Sequence, residues 1–369
     1  MAEPPKKTVL CVVGTRPEAI KMAPVVLALR GQDWARVRVL ATAQHREMLD
    51  QVLGLFDIEP QIDLDIMEND QRLPALTSRL ITALDESLET EGPDVVLAQG
   101  DTTTVLATAL ACFYRRVPFG HVEAGLRTLD RDYPFPEEMN RTLAGRLARF
   151  HFAPTARARD NLVREGVPDS WIHVTGNTVI DALLDVVSRD VPIGVDLDAA
   201  KRLLLVTAHR RENFGAPLLE ICRGLRALAD RYEDVQVLYP VHPNPNVSGV
   251  VSRELSGHPR IVLCPPLDYG PFVSAMKRAF LILTDSGGVQ EEAPALGRPV
   301  LVLRAETERP EAVDAGVVRI VGPVADRIVE EARRLLDDPA AYSAMAKGAS
   351  PYGDGRAAER IVEALREAI

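Results

Sequence analysis

The chain has little of what disulfide-stabilised, metal-binding or nucleic-acid-binding proteins require. Only 4 of its 369 residues are cysteines. Because they form no Cys-x-x-Cys pair and no Cys/His cluster, we expect neither a disulfide framework nor a metal site. The formal net charge of −10 argues against a nucleic-acid partner, since such binding requires a basic surface. No apolar run is long enough to span a membrane, and residues 1–7 lack the apolar core of a signal peptide. We therefore expect a cytoplasmic protein with no membrane partner.

What remains is an ordinary globular composition, with 46% hydrophobic and 26% charged residues. At 369 residues the chain is long for a single hydrophobic core, so we expect two domains. Lysine is scarce as well: only six of the 43 basic residues are lysines. One of the six, Lys21, lies inside a motif described below, which makes it a candidate for function.

Short apolar runs alternate with segments of helical period along the chain. This rhythm is typical of a parallel β-sheet covered by helices on both faces. The first set comprises predicted strands at 8–13, 37–41, 94–98, 118–122 and 150–153, with helices at 17–30 and 103–114. After a connector at 190–196, the second set comprises strands at 203–206, 235–239, 261–263, 280–284, 299–303 and 317–321, and a last amphipathic helix at 357–369. The sequence thus predicts an α/β protein with two Rossmann-like, doubly wound domains.

Polar and charged residues stand where many of these predicted strands end. In open α/β sheets, ligands bind beyond the carboxyl ends of the strands, so each end is a candidate binding segment. If the two domains face each other, the segments converge on one cleft. They are Gly14-Thr15-Arg16-Pro17-Glu18, Gly100-Asp101-Thr102, Glu123-Ala124-Gly125, Ala208-His209-Arg210-Arg211, His242-Pro243-Asn244 and Asp285-Ser286-Gly287-Gly288.

The last of these segments predicts a phosphate site. Either Asp285 or Ser286 could cap the following helix, and two glycines would let a ligand approach the backbone. Free N–H groups and the helix dipole then favour an anion. Glu292 could accept hydrogen bonds from hydroxyl groups, so a ribose diphosphate fits the segment. A helix cap without any ligand fits Ser286-Gly287-Gly288 equally well when that segment is considered alone.

The first segment predicts a second phosphate contact. Thr15 and Glu18 have the spacing of a capping box, and Pro17 suits a first helical turn. A well-made helix start leaves Arg16 unexplained, and an arginine beside a helix N-terminus suits a bidentate grip on phosphate. Lys21 would lie on the same side of the helix, about one turn further along.

Three carboxyl groups are the candidates for acid and base chemistry. Asp101 and Glu123 follow two consecutive predicted strands, and Glu137 lies in a proline-rich loop. Each alone could be a helix cap or a solvated acid. Packed together around one ligand, they would raise some of one another's pKa values, which suits proton transfer near neutral pH.

Histidine and arginine stand at other strand ends. His209 has Arg210 and Arg211 as neighbours, which suits phosphate contact or proton donation to a leaving phosphate, although a capping histidine is the alternative. His242 lies in a turn-rich loop and could equally be structural. Arg309 directly precedes a proline that can start a helix.

Taken together, these motifs resemble the non-hydrolysing UDP-N-acetylglucosamine 2-epimerases of bacteria. The resemblance covers the chain from about residue 8 to the last helix, and the motifs occur in the order typical of that family. The matching segments are 14–24, 42–46, 100–104, 121–128, 136–141, 176–181, 209–212, 285–294, 307–312 and 351–355.

The resemblance implies a glycosyltransferase-B-like fold with the active site in the cleft between two Rossmann-like domains. Residues 1–175 and the returning helix 355–369 would form the first domain, and 176–354 the UDP-binding domain. The implied reaction interconverts UDP-GlcNAc and UDP-ManNAc through anti elimination of UDP to 2-acetamidoglucal and syn re-addition. It needs no cofactor, and the family implies a homodimer.

The resemblance also implies roles for individual residues. The catalytic positions are Asp101, Glu123, Glu137 and His209, without an assignment of each carboxylate to a face of the sugar. The substrate-binding positions are Arg16, Lys21, Ser286, Gly287, Gly288, Glu292 and Arg309, with Phe272 on the uracil side. Some relatives bind a second UDP-GlcNAc as an activator, which would involve Gln44, Gln71, Arg210 and His242, together with Glu137. Two departures concern these sites, because Leu267 and Glu47 replace glutamines found in some relatives.

Other functions share part of this pattern. A hydrolysing 2-epimerase would release ManNAc and UDP, and some relatives act on UDP-sugars with an extra acetamido group or a uronic acid. A glycosyltransferase of the same fold would also need an acceptor site. A nucleotide-sugar-binding regulator would not need the ionisable residues.

Overall fold

The computed structural model describes residues 5–42, 46–66, 71–348 and 350–369. Its contacts divide the chain into two compact units. Unit 1 comprises Met1–Ala182 and Tyr352–Ile369, and unit 2 comprises Leu183–Pro351. Unit 1 includes residues 176–182 and 352–354, which the family resemblance assigns to the second domain.

The unit boundary has a local cause. The backbone N–H of Asn177 donates to the carbonyl of Tyr352 at 2.6 Å. Asp181 accepts hydrogen bonds from the first amides of the last helix, Ala357 at 3.2 Å and Ala358 at 2.8 Å. The two passages of the chain are therefore held to each other within unit 1.

Unit 1 is built on a parallel sheet that has seven strands within the described ranges, in the order β3-β2-β1-β4-β5-β6-β7. The strands are β1 Lys7–Val13, β2 Ala35–Ala41, β3 Ile62–Asp63, β4 Val95–Gln99, β5 Phe119–Val122, β6 Phe150–Ala153 and β7 Ile172–Val174. The helices are α1 Arg16–Arg30, α2 Arg46–Leu55, α3 Leu73–Glu91, α4 Thr103–Arg115, α5 Glu137–Leu147, α6 Ala156–Arg164, α7 Thr178–Ser188, which crosses into unit 2, and α15 Ala357–Ala368. The strand order reverses between β1 and β4, and such a switch point opens a ligand crevice.

Unit 2 repeats this plan, with six strands in its described part in the order β10-β9-β8-β11-β12-β13. The strands are β8 Arg202–Thr207, β9 Val235–Pro240, β10 Ile261–Cys264, β11 Leu281–Thr284, β12 Val300–Val302 and β13 Val318–Ile320. The helices are α8 Ala216–Arg231, α9 Pro245–Leu255, α10 Tyr269–Arg278, α11 Gly287–Ala295, α12 Pro310–Asp314, α13 Ala325–Asp337 and α14 Pro339–Met345. Here the switch point lies between β8 and β11.

Each sheet has apolar strands because helices cover both of its faces. Leu204, Val206, Val237 and Leu283 are fully buried in the core of unit 2, where they pack with residues of α8, α9 and α13. Burying one such side chain contributes about 1.5–3 kcal/mol. The two doubly wound α/β units predicted from the sequence are confirmed.

Helix α1 begins as its sequence predicts, with a capping box. The backbone N–H of Thr15 donates to Glu18 at 2.9 Å, and that of Glu18 donates to the Thr15 hydroxyl at 3.5 Å. Burial raises the pKa of Glu18 to about 7, although hydrogen bonds from Thr102, Gly14 and Thr15 oppose the rise. Among the described residues, no helix is long and apolar enough to span a bilayer.

Candidate active site

The switch point of unit 1 brings the segments after β1 and β4 side by side. A Cβ at Gly14 would lie 2.6 Å from the hydroxyls of Thr42 and Thr104, so a larger residue would force these neighbours to shift. This close packing directs the chain into α1, whose first residue is Arg16. The side chain of Arg16 is half-buried at the helix N-terminus, a position that favours anions.

Asp101, which follows β4, is held at its backbone and its side chain. The amide of Asn140 donates to the Asp101 carbonyl at 3.0 Å, and Arg141 Nε lies 3.7 Å from the Asp101 carboxylate. Desolvation raises the pKa of Asp101 to about 6, with the cation of Arg141 lowering it and the charge of Glu123 raising it. A carboxyl group with such a pKa can hold or release a proton near neutral pH.

Glu123, which follows β5, is fixed by three donors. Lys21 Nζ donates to its Oε1 at 2.5 Å and Asn177 Nδ2 donates to the same oxygen at 2.7 Å, while Gln99 donates to Oε2. The side chain is only 7% exposed. The backbone of Glu123 has φ of 65°, a left-handed conformation that costs roughly 1–2 kcal/mol in a residue with a Cβ. Strain of this kind is concentrated at functional sites.

The three candidate carboxylates of unit 1 lie in one cluster. Glu137 begins α5, and its charge, like that of Glu123, acts on the pKa of Asp101. Two cations share the cluster, since Lys21 pairs with Glu123 and Arg141 lies beside Asp101. The structure therefore places Lys21, expected as a ligand contact, against a carboxylate.

Sequence reasoning assigned no role to three residues of this cluster, Gln99, Arg141 and Asn177. Arg141 could have been found, because it stands four residues after Glu137 on one helix and so shares its face. Gln99 ends β4 directly before Gly100 and Asp101. Nothing local to Asn177 indicates its contact with Glu123, which lies 54 residues away.

His121 holds the turn that carries Asp101. A carbonyl only accepts, so His121 Nε2 must donate to the Gly100 carbonyl, 2.7 Å away. Nδ1 is then unprotonated, and it is buried without a hydrogen-bond partner in the described structure. Protonation there would add an unsatisfied buried donor. Burial accordingly lowers the pKa of His121 to about 4, although the bond to Gly100 opposes the shift.

This histidine predicts a pH-dependent difference in stability between the wild type and His121→Gln. A glutamine can still donate to Gly100 but does not titrate. Because the folded pKa is depressed, the stability from neutral His121 is present above pH 6.5 and is lost as pH falls through about 4. As the pH falls over this range, the free energy of unfolding of the variant should therefore rise relative to that of the wild type by up to about 3 kcal/mol. Denaturant unfolding at several pH values measures it, and a constant difference would contradict the assignment.

In unit 2, the neighbouring strands β8 and β11 bring His209 and Asp285 together. Thr207 and Thr284 are paired in register, with their hydroxyl oxygens 2.6 Å apart. Asp285 does not cap α11. Its Oδ2 accepts the backbone N–H groups of His209 and Arg210, each at 2.8 Å.

The N-terminus of α11 has the features expected of a phosphate site. Ser286 occupies the N-cap position and makes no side-chain capping bond, so the first N–H groups are left without that partner. A Cβ added at Gly287 would lie 3.9 Å from the guanidinium groups of both Arg210 and Arg309. Two cations and a positive helix end therefore surround this glycine.

The remaining ligand-binding candidates of unit 2 are Glu292 in α11, Arg309 and Phe272. Tyr269 donates to Glu292 at 2.7 Å, and this buried carboxylate lies 3.8 Å from the Cβ position of Gly288. Arg309 Nε donates to Glu291. Phe272 lies in the first turn of α10 and is half-buried.

Two of the residues expected to bind an activator also lie in this part of unit 2. His242 stacks on His209 with ring centroids 5.5 Å apart, and Arg210 lies near Gly287. Gln71, in unit 1, accepts a hydrogen bond from Arg79. Gln44 lies outside the described residues. Within the described ranges, no cluster of His, Cys, Asp and Glu could hold a metal ion.

Comparisons with known proteins identify the family of this chain. A family model described as UDP-N-acetylglucosamine 2-epimerase matches residues 27–366. The UDP-N-acetylglucosamine 2-epimerase of Escherichia coli K12 is 55% identical over 370 residues, which covers 97% of this chain and 98% of the relative. The crystal structure of the Neisseria meningitidis UDP-GlcNAc 2-epimerase bound to UDP-GlcNAc has a TM-score of 0.89 and 45% identity, covering 98% of this chain and 100% of that one. A glycotransferase of kitacinnamycin shares the fold alone, with a TM-score of 0.69, 13% identity and 99% coverage of both chains.

Proposed function

The chain belongs to the UDP-N-acetylglucosamine 2-epimerase family and is an isomerase, and we propose that it inverts C2 of UDP-GlcNAc without net hydrolysis. In the proposed reaction, UDP leaves C1 by anti elimination as the C2 proton is removed, which forms 2-acetamidoglucal. Syn re-addition of UDP and protonation of C2 from the opposite face then give UDP-ManNAc.

This route follows from the chemistry of the substrate. C2 is not next to a ring carbonyl, so simple enolisation cannot remove its proton. Loss of the diphosphate builds positive charge on the ring and weakens the C2–H bond. The protein must therefore hold the departing diphosphate, provide acid and base groups on both faces of C2, and keep water from the glucal.

The observation that carries the proposal is the carboxylate cluster of unit 1. Glu123 is held rigidly with both oxygens accepting hydrogen bonds, whereas the pKa of Asp101 is raised to about 6. Pairs of carboxyl groups in unlike environments are typical of sites that use one acid and one base. Glu137 is the third proposed member. A binding protein without turnover would not need this arrangement.

Unit 2 supplies the proposed site for the nucleotide. The N-terminus of α11, with Gly287 between two guanidinium groups, suits a diphosphate. Glu292 is proposed to accept hydrogen bonds from the ribose hydroxyls, and Phe272 is assigned to the uracil. Gln71, Arg210 and His242 stay candidates for contacts with a second UDP-GlcNAc molecule.

Incubation with UDP-GlcNAc in deuterated water tests the function. Epimerisation through the glucal should yield UDP-ManNAc carrying deuterium at C2, with the UDP linkage retained, as followed by NMR. Free ManNAc and UDP would instead identify a hydrolysing enzyme. An unchanged sugar in the presence of confirmed binding would contradict epimerisation, and running diacetamido and uronic-acid UDP-sugars in parallel would identify another substrate.

We propose that two copies associate through α4 and α5. These adjacent helices expose large apolar side chains, with Phe113 60% and Leu143 45% exposed, and exposed apolar groups of this size mark interaction surfaces. Light scattering should give twice the chain mass for the wild type and the monomer mass for Phe113→Ser.

We also propose a cytoplasmic location, since the four cysteines are free thiols.

A further inference from the structure

Asp285 is a buried carboxylate whose two oxygens have unlike surroundings. Its exposure is 0%. Oδ2 accepts three hydrogen bonds, from the backbones of His209 and Arg210 and from the side-chain amide of Asn213 at 2.9 Å. Oδ1 has no hydrogen-bond partner in the described structure and lies 3.6 Å from Nδ1 of His209. A buried carboxylate oxygen without a donor is costly, so a donor at Oδ1 would stabilise the site.

We propose that Asp285 is the positioning residue of His209, with Oδ1 accepting the Nδ1–H of the imidazole and thereby directing Nε2–H toward the diphosphate. The inference rests on the proposed function, and it takes His209, a catalytic position implied by the family resemblance, to contact the leaving UDP. A separation of 3.6 Å is longer than a hydrogen bond, and such contacts tighten in substrate complexes. The His209 side chain is 40% exposed, which leaves the other edge of the ring accessible to ligand.

The charges around His209 explain why a ligand would complete this contact. In the free protein, partial burial lowers the pKa of His209; Asp285 opposes this, while His242 and Arg210 add to it. A bound diphosphate would counter the cation of Arg210 and select the imidazolium, because a bare Nε2 lone pair would repel the anion. Asp285 would then stabilise the cation through Nδ1.

The role in the reaction is electrostatic. When the C1–O bond breaks, its electron pair leaves with UDP, and Nε2–H of the imidazolium donates a hydrogen bond to the departing oxygen. His209 keeps its proton in this step. The C2 proton goes to a carboxylate of unit 1, and the C2–H electron pair forms the C1=C2 double bond of the glucal. Asp285 contacts neither substrate nor reacting atoms and acts only through the ring of His209.

Asp285→Asn tests the proposal with almost no change in shape. The amide oxygen of the asparagine can still accept the three hydrogen bonds that Oδ2 now accepts. Its NH₂ group would face Nδ1 of His209, so that nitrogen must accept a hydrogen bond instead of donating one. We expect kcat to fall about 100-fold, because the neutral imidazole of the variant still donates Nε2–H but lacks the positive charge that stabilises the departing diphosphate. The ¹⁵N spectrum of His209 with UDP bound should show Nδ1 protonated in the wild type and unprotonated in the variant.

A matched control and a double variant separate positioning from a merely structural effect. Asp234→Asn makes the same charge change at an exposed residue of unit 2 that pairs with Arg202, and it should leave kcat and the His209 spectrum unchanged. In a His209→Asn background, Asp285→Asn should cause no further loss. Additive losses, or an Nε2–H neutral tautomer in the UDP-bound wild type, would overturn the proposal.

These readouts remain informative if one experiment fails. If Asp285→Asn does not fold, the spectrum of the UDP-bound wild type alone decides whether Nδ1 carries the proton toward Asp285. If the wild type does not epimerise UDP-GlcNAc, the proposed function is wrong, whereas the protonation state of His209 with UDP bound still tests the contact.

Discussion

Replacing Asp101 with asparagine or Glu123 with glutamine should lower kcat about 100-fold or more. Each substitution keeps the side-chain shape but removes a group that can exchange a proton with C2. His209→Asn should have an effect of similar size, because it removes charge stabilisation from the leaving diphosphate. Steady-state rates and deuterium incorporation at C2 measure the losses, and thermal unfolding shows whether the variants remain folded.

The matched control for these variants is Glu89→Gln. Glu89 lies on α3 of the same unit, is 70% exposed and pairs with Arg115, so the same loss of charge there should leave kcat unchanged. Near-normal turnover in any folded variant of Asp101, Glu123 or His209 would remove that residue from the mechanism. A loss of kcat that merely follows a loss of folded protein would also count against a chemical role.

The second large effect is expected in binding. Arg16→Ala should weaken UDP affinity by about 2–3 kcal/mol, the contribution of a hydrogen bond to a charged group. The residue begins α1 and its guanidinium is proposed to grip the diphosphate. Arg16→Lys should recover only part of the affinity, because an ammonium keeps the charge without the bidentate geometry. Isothermal titration calorimetry with UDP measures both variants.

Arg30→Ala is the control for this measurement. Arg30 ends the same helix and donates to the carbonyl of Asp57 at 3.1 Å, so its removal takes away an arginine of α1 far along the helix from the proposed phosphate contact. Its UDP affinity should match that of the wild type. If Arg16→Ala binds UDP as tightly as the wild type, the diphosphate has been assigned to the wrong residues.

The parts of the fold that the sequence predicts are those with strong local signals. Strand β6 has its predicted bounds at Phe150–Ala153, and α1 begins at the expected capping box. Strands β3 and β7 were not predicted, because they have only two and three residues and no apolar run that could distinguish them from loops. They form since the edge of an existing sheet offers hydrogen-bonding partners, which is a tertiary effect.

The candidate site divides in the same way. The strand ends identify Asp101, Glu123 and His209, because ligands bind beyond the carboxyl ends of parallel strands and these residues stand there. The sequence did not indicate that Lys21 pairs with Glu123 across 102 residues, nor that Asn177 holds the same carboxylate. Those contacts depend on the packing of α1 and of the segment before α7 against the sheet.

By itself, the sequence determined the two doubly wound units, the helix start at Thr15 and the two glycines that begin α11. Each follows from backbone preferences and apolar period within a few residues. Only the tertiary structure decided what Asp285 does. Its residue type suits a helix cap, but β8 lies beside β11 and offers it the amides of His209 and Arg210 at 2.8 Å. A buried carboxylate accepts hydrogen bonds from the donors that packing brings to it, and strand pairing brings these two from 76 and 75 residues away.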